Sequence, residues 1–324
     1  MTIEIRGLTK RYGDKVAVND LSFTIEPGRV TGFLGPNGAG KTTTMRLILG
    51  LDYPSAGSVA VNGQPYQELT CPMSEVGALL EARAVHGGRS ACNHLRCLAQ
   101  TNGIPSRRVD EVLGIVGLAD VARKRSKGFS LGMSQRLGIA ATLLGDPEIL
   151  MFDEPVNGLD PEGILWIRNL MKGLAAEGRT VFVSSHLMSE MENTADHLIV
   201  IGKGRLIADC GTDEFIARSS GLTTLVRTPQ PDALGRALTG AGGTLLTGGA
   251  AEPGEPGEPG ELQVRGLTTE RIGDIAFAAG IRLHHLAPAK ASLEQAFMEL
   301  TAESVEYHAG VPAHAGAPTD VTEA

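Results

Sequence analysis

The sequence lacks any apolar stretch long enough to span a bilayer. A transmembrane helix needs about 20 consecutive apolar residues, and no segment approaches that length. The N-terminal residues, Met1-Thr2-Ile3-Glu4, also lack the basic and apolar segments of a signal peptide. We therefore expect a soluble, cytoplasmic protein.

The sequence also has few cysteines and no excess of positive charge. The 4 cysteines show no CxxC spacing and no neighbouring histidine pairs at metal-ligand spacing, which is typical of scattered reduced thiols. The 29 Lys and Arg residues are outnumbered by 37 Asp and Glu residues, so the net charge is −8. Because duplex nucleic acids reward a basic face, this balance argues against a dedicated nucleic-acid-binding protein.

What the sequence does contain is enough apolar material for a sizeable core. Apolar residues make up 42% of the chain. Its 324 residues exceed one typical domain, so we expect one large domain and one small one.

The most informative stretch is GPNGAGKTT, residues 35–43. It lies between an apolar run, residues 30–34, and a helical run, residues 43–49, which is the context of a phosphate-binding loop. In such a loop the backbone N–H groups converge on phosphate, and the helix N-terminus adds partial positive charge. Lys41 supplies a charge for the outer phosphates, and the Thr42 hydroxyl is placed to bind Mg²⁺. A plain glycine-rich turn is the weaker alternative, so the sequence predicts binding of a nucleoside triphosphate.

Two consecutive acids end a short apolar strand farther along the chain. Residues 149–152 show no alternation, which is typical of a parallel strand buried on both faces. Because consecutive strand side chains point in opposite directions, Asp153 and Glu154 should have different roles. Beside a phosphate loop, Asp153 can hold Mg²⁺ and Glu154 can orient or deprotonate the attacking water. Two solvated acids at a strand end are the alternative.

Three further residues carry weaker signals. Tyr12 precedes the phosphate loop and can stack on a nucleotide base, although by itself the pattern favours a strand-edge residue. Ser130 is an N-cap candidate for the helix that follows it, a common arrangement that often binds nothing. His186 follows the buried strand predicted at residues 180–184, on the sheet edge where α/β folds bind ligands.

The order and spacing of these motifs over residues 2–217 resemble the ATP-binding subunits of ABC transporters. The resemblance implies a P-loop α/β fold with a mixed sheet, an antiparallel β subdomain and an α-helical subdomain. It implies that Tyr12 stacks on adenine and that His186 is the switch histidine that contacts the γ-phosphate. The residues that it assigns to ATP are Tyr12, Gly35, Asn37, Gly38, Gly40, Lys41, Thr42, Thr43, Ser130, Gly132 and Asp160, those that it assigns to Mg²⁺ are Thr42, Asp153 and Glu81, and those that it assigns to catalysis are Glu154, His186 and Lys41.

Two positions depart from the common family pattern. The signature Leu-Ser-Gly-Gly-Gln reads Phe-Ser-Leu-Gly-Met at residues 129–133, so Leu131 restricts close backbone approach where the family has glycine. Glu81 stands where the family usually has a glutamine, which keeps an oxygen ligand and adds a charge that favours metal. A similar glutamate and a similar signature sequence occur in the ATPases of bacitracin- and daunorubicin-resistance exporters. We therefore expect an exporter of a drug, antibiotic or peptide.

The resemblance also implies an assembly. In the family, two ATPase domains close head to tail, and each signature covers the nucleotide held by the other subunit. This chain has one phosphate loop and one signature, so the resemblance implies a second copy or a paralogue. It also implies a separate transmembrane permease, which would hold the ATPase at the inner face of the cell membrane. The helical insertion, including residues 81–103, would receive the permease. The alternatives are an importer ATPase and an ABC-type ATPase acting on ribosomes or DNA, although the latter usually has two cassettes or a coiled-coil insertion.

The predicted domains are 1–220 for ATP binding, with a helical subdomain at about 82–142, and 221–304 for a small α/β accessory domain. In the accessory domain the patterns predict strands at 222–227, 244–246, 261–265 and 281–286, and helices at 232–238 and 269–279. Ser292 and Gln295 predict a capping box for a last helix through Leu300. Three Glu-Pro-Gly repeats at 252–260 predict an unstructured loop, and 305–324 a disordered tail.

Overall fold

The computed structural model describes residues 1–81, 85–219, 223–246, 260–288 and 292–301 of the protein. Of the repeats at 252–260, only Gly260 lies within these ranges, and the tail at 305–324 lies outside them. The elements of the first part are, in chain order, β1 (Ile3–Tyr12), β2 (Lys15–Ile25), β3 (Val30–Leu34), α1 (Lys41–Ile48), β4 (Ala56–Val61), α2 (Pro72–Glu75), β5 (Val76–Leu79), α3 (Ala91–Thr101), α4 (Arg107–Ile115), α5 (Leu131–Leu143), β6 (Ile149–Asp153), α6 (Pro161–Ala176), β7 (Thr180–Ser184), α7 (Met188–Thr194), β8 (His197–Gly202), β9 (Arg205–Gly211) and α8 (Thr212–Ser219).

A six-stranded sheet in the order β5-β6-β7-β3-β8-β9 forms the centre of the first part of the chain. All neighbouring strands are parallel except β8 and β9. Every residue of β3 and β7 is buried, as the unbroken apolar runs predict for strands covered on both faces. The carboxyl ends of β3, β6 and β7 therefore meet at one edge, and the predicted α/β fold is confirmed.

A three-stranded antiparallel sheet in the order β2-β1-β4 packs beside the central sheet. Phe23 from this sheet lies 5.8 Å, between ring centroids, from Phe33 of β3. Phe33 in turn lies 5.0 Å from Phe182 of β7. This aromatic contact fixes the small sheet against the large one and places the end of β1, with Tyr12, beside the loop after β3.

Helices α3, α4 and α5 pack against one another. Val109, Val112 and Val116 are buried in the hydrophobic cluster to which these helices contribute, which confirms the apolar spacing seen in the sequence. Across the described ranges, the helices are all too short or too polar to cross a membrane.

The second part of the chain contains β10 (Thr223–Arg227), α9 (Pro231–Gly240), β11 (Thr244–Leu246), β12 (Glu261–Arg265), α10 (Thr269–Ala278), β13 (His285–Pro288) and α11 (Leu293–Thr301). The strands pair antiparallel in the order β11-β12-β10-β13. With α9 and α10 this is the βαββαβ arrangement of ferredoxin-like domains. Val226, Leu234 and Val264 belong to a separate hydrophobic core under the two helices.

The strand predicted at 281–286 is wrong in position, because β13 begins only at His285. Ile281 instead completes the end of α10, where its N–H donates to Ala276 O at 2.9 Å and Gly280 adopts a φ of 66°. This is the helix-ending hydrogen bond of a Schellman motif, which places an apolar residue just after the glycine. The apolar pattern alone does not distinguish such a residue from a strand.

The last helix, α11, is predicted as part of the accessory domain, but it packs on the first part of the chain. Leu293, Ala296 and Phe297 belong to the same hydrophobic cluster as Phe215 of α8. The N–H of Leu293 also donates to the Glu192 carboxylate at 2.9 Å. If the domains are divided by which hydrophobic core a helix joins, the accessory domain ends before α11. The predicted cap is confirmed, since Gln295 N donates to the Ser292 hydroxyl at 3.2 Å.

Candidate active site

The loop between β3 and α1 forms a cradle that only glycine permits at two positions. At Gly40, where φ is 106°, a Cβ would lie 2.5 Å from the carbonyl oxygen of Ala17. At Gly35 it would lie 2.6 Å from the carbonyl oxygen of Ile201. The loop backbone can therefore lie against both neighbouring segments, with its N–H groups available to an anion at the N-terminus of α1.

A cleft of about 450 Å³ opens over this loop. It brings the phosphate loop, the two strand-end acids and the aromatic residue of β1 into one site, as the motif order predicts. The residues that line the cleft are Tyr12, Lys15, Ala17, Asn37, Gly38, Ala39, Gly40, Lys41, Thr42, Thr43, Asp153 and Glu154.

Lys41 is held inside the loop and is only 8% exposed. Its Nζ donates to the carbonyl oxygen of Gly35 at 2.7 Å and approaches that of Pro36 at 3.4 Å. Burial lowers the pKa of Lys41, and the carboxylates of Glu154 and Asp153 partly oppose this effect. A buried ammonium with only carbonyl partners is suited to exchange them for phosphate oxygens.

Thr42 and Asp153 form an oxygen-only donor set suited to Mg²⁺. The Thr42 hydroxyl donates to Asp153 Oδ2 at 2.7 Å, and the Ser184 hydroxyl donates to Asp153 Oδ1. Mg²⁺ prefers such hard oxygen ligands and keeps places for water and phosphate, so these residues fit the ion. Glu81 is exposed and does not line the cleft. Its role as a metal ligand stays a prediction.

Glu154 is turned away from Asp153, towards His186. Its Oε2 lies 2.6 Å from His186 Nδ1 and 3.3 Å from His186 N. The backbone of Glu154 is left-handed, with a φ of 51°, a conformation that costs energy for a residue with a side chain and that clusters at functional sites. The Glu154 N–H is held by Ser184, at 3.2 Å from its carbonyl and 3.1 Å from its hydroxyl oxygen. The two acids thus take separate positions, as predicted, but the cause is the left-handed backbone of Glu154, one residue beyond the end of β6, and not the alternation of strand side chains.

Tyr12 is held beside the loop by residues that the sequence did not single out. Its hydroxyl donates to Asp52 Oδ2 at 3.0 Å, and Arg46 Nε donates to the same oxygen at 2.7 Å. The Tyr12 ring remains 48% exposed at the cleft, which leaves a face for a nucleotide base.

The signature residues lie apart from this cleft. Ser130 caps α5, since its hydroxyl accepts from Met133 N at 3.2 Å, which confirms the N-cap prediction. Asp160 caps α6 in the same way, with Gly163 N as the donor at 3.0 Å. Leu131 packs directly over Gly158, where an added Cβ would come within 2.3 Å of its side chain. None of the predicted signature residues lines the cleft of this chain.

Gln135 connects the signature helix to the catalytic loop, and no sequence motif indicated this role. Its side chain is 3% exposed. Its Nε2 donates to the carbonyl oxygen of Pro155 at 2.9 Å and lies 3.4 Å from that of Glu154. Gln135 therefore fixes the backbone immediately after the left-handed Glu154, which makes it a positioning residue for that carboxylate.

Replacing Gln135 with methionine is expected to lower the rate of ATP hydrolysis about tenfold with little change in ATP affinity. Methionine fills the same space but cannot donate, so the loop carbonyls lose a hydrogen bond worth about 1–1.5 kcal/mol. Thr142→Val is the matched control, because Thr142 is equally buried on α5 and bonds only its own helix, at Gly138 O. Equal hydrolysis rates in the two variants at equal thermal stability would contradict the role of Gln135.

Comparison with known proteins identifies families and relatives that are similar to this chain. Residues 18–157 match the protein family described as ABC transporter, and residues 222–294 match a domain of unknown function (DUF8746). The chain is 37% identical over 308 residues to the uncharacterized ABC transporter ATP-binding protein YhcH of Bacillus subtilis, covering 94% of this chain and 97% of that protein. It is 40% identical to the bacitracin transport ATP-binding protein BcrA of Enterococcus faecalis, covering 68% of this chain and 73% of that protein.

Among solved structures, an ATP-binding subunit of an ABC transporter superposes with a TM-score of 0.62 at 26% identity. The match covers 67% of this chain and 93% of that chain. The second family match ends at residue 294, close to the start of α11 at Leu293.

Proposed function

The chain belongs to the family of ABC transporter ATP-binding proteins, and from this premise we propose that it hydrolyses ATP to drive export through a separate permease. One observation carries the proposal: a single cleft combines the buried Lys41, the Thr42–Asp153 pair and Glu154, whose carboxylate contacts His186 behind the cleft lining. These are the charges and proton acceptors that phosphoryl transfer to water requires.

Binding begins with the exchange of partners at Lys41. Its Nζ leaves the Gly35 carbonyl, 2.7 Å away, for the oxygens of the outer phosphates, while the loop N–H groups bind the inner ones. The base of ATP stacks on the exposed ring of Tyr12. Thr42 and Asp153 would hold Mg²⁺, which when bound neutralises phosphate charge.

Hydrolysis is assigned to Glu154. The carboxylate accepts a proton from a water molecule as the water oxygen bonds to the γ-phosphorus and the bond to the leaving ADP oxygen breaks. His186, 2.6 Å from Glu154 through Nδ1, orients the carboxylate and keeps its other ring nitrogen for a γ-phosphate oxygen. Lys41 stabilises the developing charge.

A second ATPase subunit would complete the site. Ser130, Gly132 and Asp160 lie outside the cleft of their own chain, and head-to-tail closure would bring them onto the nucleotide of the partner. The exposed N-terminus of α5 then supplies additional N–H donors to phosphate. The partner is a second copy of this chain or a paralogue.

The relatives and the sequence of the signature support the proposed transport direction and cargo. The similarity to a bacitracin transport protein supports export of an antibiotic, drug or peptide at the inner face of the cell membrane. An importer ATPase would share the catalytic residues. An ATPase of ribosomes or DNA is less well supported, because the chain carries an excess of 8 negative charges.

Purification from native membranes tests this proposal. The tagged protein is extracted in mild detergent in the presence of ATP, under conditions that block ATP hydrolysis. It is expected to co-purify with a multispanning membrane protein. It should do so in amounts close to one permease assembly per two ATPase subunits, identified by mass spectrometry. Recovery of ribosomal proteins instead, with no membrane protein, would reject the transport function in favour of the soluble alternative.

A further inference from the structure

The chain turns back sharply after α1. The N–H of Leu51 donates to Arg46 O at 2.9 Å, and that of Gly50, whose φ is 62°, donates to Leu47 O at 3.1 Å. These are the two hydrogen bonds of a Schellman motif, which ends a helix and redirects the chain. Asp52 therefore lies beside the side chain of Arg46, whose Nε donates to Asp52 Oδ2 at 2.7 Å.

The Asp52 carboxylate accepts hydrogen bonds from two side chains at one oxygen. The Tyr12 hydroxyl donates to Oδ2 at 3.0 Å, and this is the oxygen that also accepts from Arg46. The hydrogen bond from Arg46 lowers the pKa of Asp52, so the carboxyl group is ionised at neutral pH and can only accept. Burial, and then the contact with Asp52, raise the pKa of Tyr12, so the phenol keeps the proton that it donates. A hydrogen bond to an ionised acceptor is stronger than one between neutral groups.

Lys10 covers one face of the Tyr12 ring. Its Nζ lies 4.9 Å from the ring centroid, a distance at which a cation is attracted to an aromatic face. The same Nζ donates to Tyr53 O at 2.6 Å. Tyr12 lines the cleft and Lys10 does not. The face of the ring that remains for a base is therefore the one opposite Lys10.

The backbone beside Tyr12 is held without any help from Asp52. The N–H of Arg11 donates to the Ser55 hydroxyl at 3.0 Å, and the N–H of Ser55 donates to Thr9 O at 2.8 Å. These bonds fix the end of β1 against the segment that follows α1. What the Asp52 carboxylate adds is the orientation of the Tyr12 ring.

Helix α1 connects this ring to the phosphate loop. The helix has eight residues, begins at Lys41 and carries Arg46 in its last turn. The contacts from Arg46 to Asp52 and from Asp52 to Tyr12 thus run from the helix to the ring. The ring is held at one place relative to the groups that would bind phosphate.

We propose that Asp52 is a positioning residue for the nucleotide base: it orients the Tyr12 ring before ATP arrives, so that the base stacks on the face opposite Lys10. The inference rests on the proposed function and adds a residue that determines how the base is bound. A purely structural role for Asp52, as an ion-pair partner of Arg46, would affect stability or the phosphate loop but would not single out the base.

The test separates binding of the base from binding of the phosphates. Isothermal titration in the presence of Mg²⁺ measures the affinity of the full chain for a slowly hydrolysed ATP analogue and for inorganic tripolyphosphate, which has no base. Asp52→Leu removes the acceptor, whereas Asp52→Asn keeps an oxygen for the Tyr12 hydroxyl. Glu299→Leu is the matched control, because Glu299 also pairs with an arginine, Arg265, and does not line the cleft.

We expect Asp52→Leu to bind the ATP analogue about fivefold more weakly than wild type, the usual cost of ordering one side chain on binding. Its affinity for tripolyphosphate should stay within about twofold of wild type. Asp52→Asn and the control should stay within about twofold for both ligands. Tyr12→Phe keeps the ring and should lose as much as Asp52→Leu, and the double variant should lose no more than either, because all three lack the same hydrogen bond.

Three results would overturn the inference. They are unchanged affinity of Asp52→Leu for the ATP analogue, an equal loss of affinity for tripolyphosphate, and additive losses in the double variant with Tyr12→Phe. A wild-type protein that binds neither the ATP analogue nor tripolyphosphate would instead reject the proposed function itself. The two failures are thus distinguishable.

Discussion

Replacing Glu154 with glutamine is expected to slow ATP hydrolysis by about 10²–10⁴-fold, the usual cost of a lost general base. Glutamine keeps the size of the side chain and its contact with His186 but cannot accept a proton from water. The left-handed backbone at a φ of 51° belongs to the loop and is unchanged by this substitution. ATP binding should therefore persist, and the ATP-bound dimer should accumulate because hydrolysis no longer separates its subunits.

Phosphate release at saturating ATP, together with size-exclusion chromatography in ATP and in ADP, measures both effects. Glu148→Gln is the matched control, since Glu148 is an exposed residue just before the amino end of β6, at the opposite end of the strand from the cleft. The control should hydrolyse ATP at the wild-type rate. Turnover of the Glu154 variant within threefold of wild type would remove Glu154 from its assigned role.

Replacing Lys41 with methionine is expected to weaken ATP binding about 100-fold. The ammonium is the buried positive charge of the cleft, and charge-assisted hydrogen bonds of this kind contribute about 1.5–3 kcal/mol. Isothermal titration with a slowly hydrolysed ATP analogue measures the loss. Lys172→Met, on the exposed surface of α6, is the control and should bind ATP normally.

Although Lys41→Met should weaken ATP binding, it should not lower the free energy of unfolding of the nucleotide-free protein. Because burial lowers the pKa of Lys41, the unfolded chain binds this proton more readily than the folded chain, so the charged lysine reduces the free energy of unfolding at neutral pH. Lys41→Met should therefore be at least as stable as wild type without nucleotide, and the difference should shrink as the pH rises towards the usual lysine value of 10.5. Thermal denaturation from pH 7 to 10 tests this sign. A lower melting temperature for nucleotide-free Lys41→Met than for nucleotide-free wild type would contradict this sign. An equal rise in melting temperature on adding ATP to the two proteins would contradict the expected loss of ATP binding.

The predictions that depended on short stretches of sequence describe the fold well. The phosphate loop, the buried strands β3 and β7 and the N-cap at Ser130 each follow from neighbouring residues. The meeting of Asp153 with the loop was also predictable, because parallel strands share one carboxyl edge. Adjacent residues and one topological rule were enough.

The placement of the last two elements was not predictable. Ile281 was assigned to a strand and instead ends α10, and α11 was assigned to the accessory domain and instead packs on the ATPase body. In both cases the apolar spacing indicated burial correctly. The spacing does not say which surface provides the burial, because an apolar helix face packs equally well on any complementary apolar surface.

The sequence by itself determined the chemistry of this protein: glycines where only a missing Cβ permits the cradle, a lysine and hydroxyl at its end, and acids where a buried strand stops. The tertiary structure decided which distant groups meet these residues. It placed Gln135 under the loop after Glu154, Asp52 on Tyr12, and residues 85–90 beside residues 122–127. The physical reason is that steric limits and strand periodicity act between neighbours in the chain, whereas these contacts depend on how whole surfaces pack.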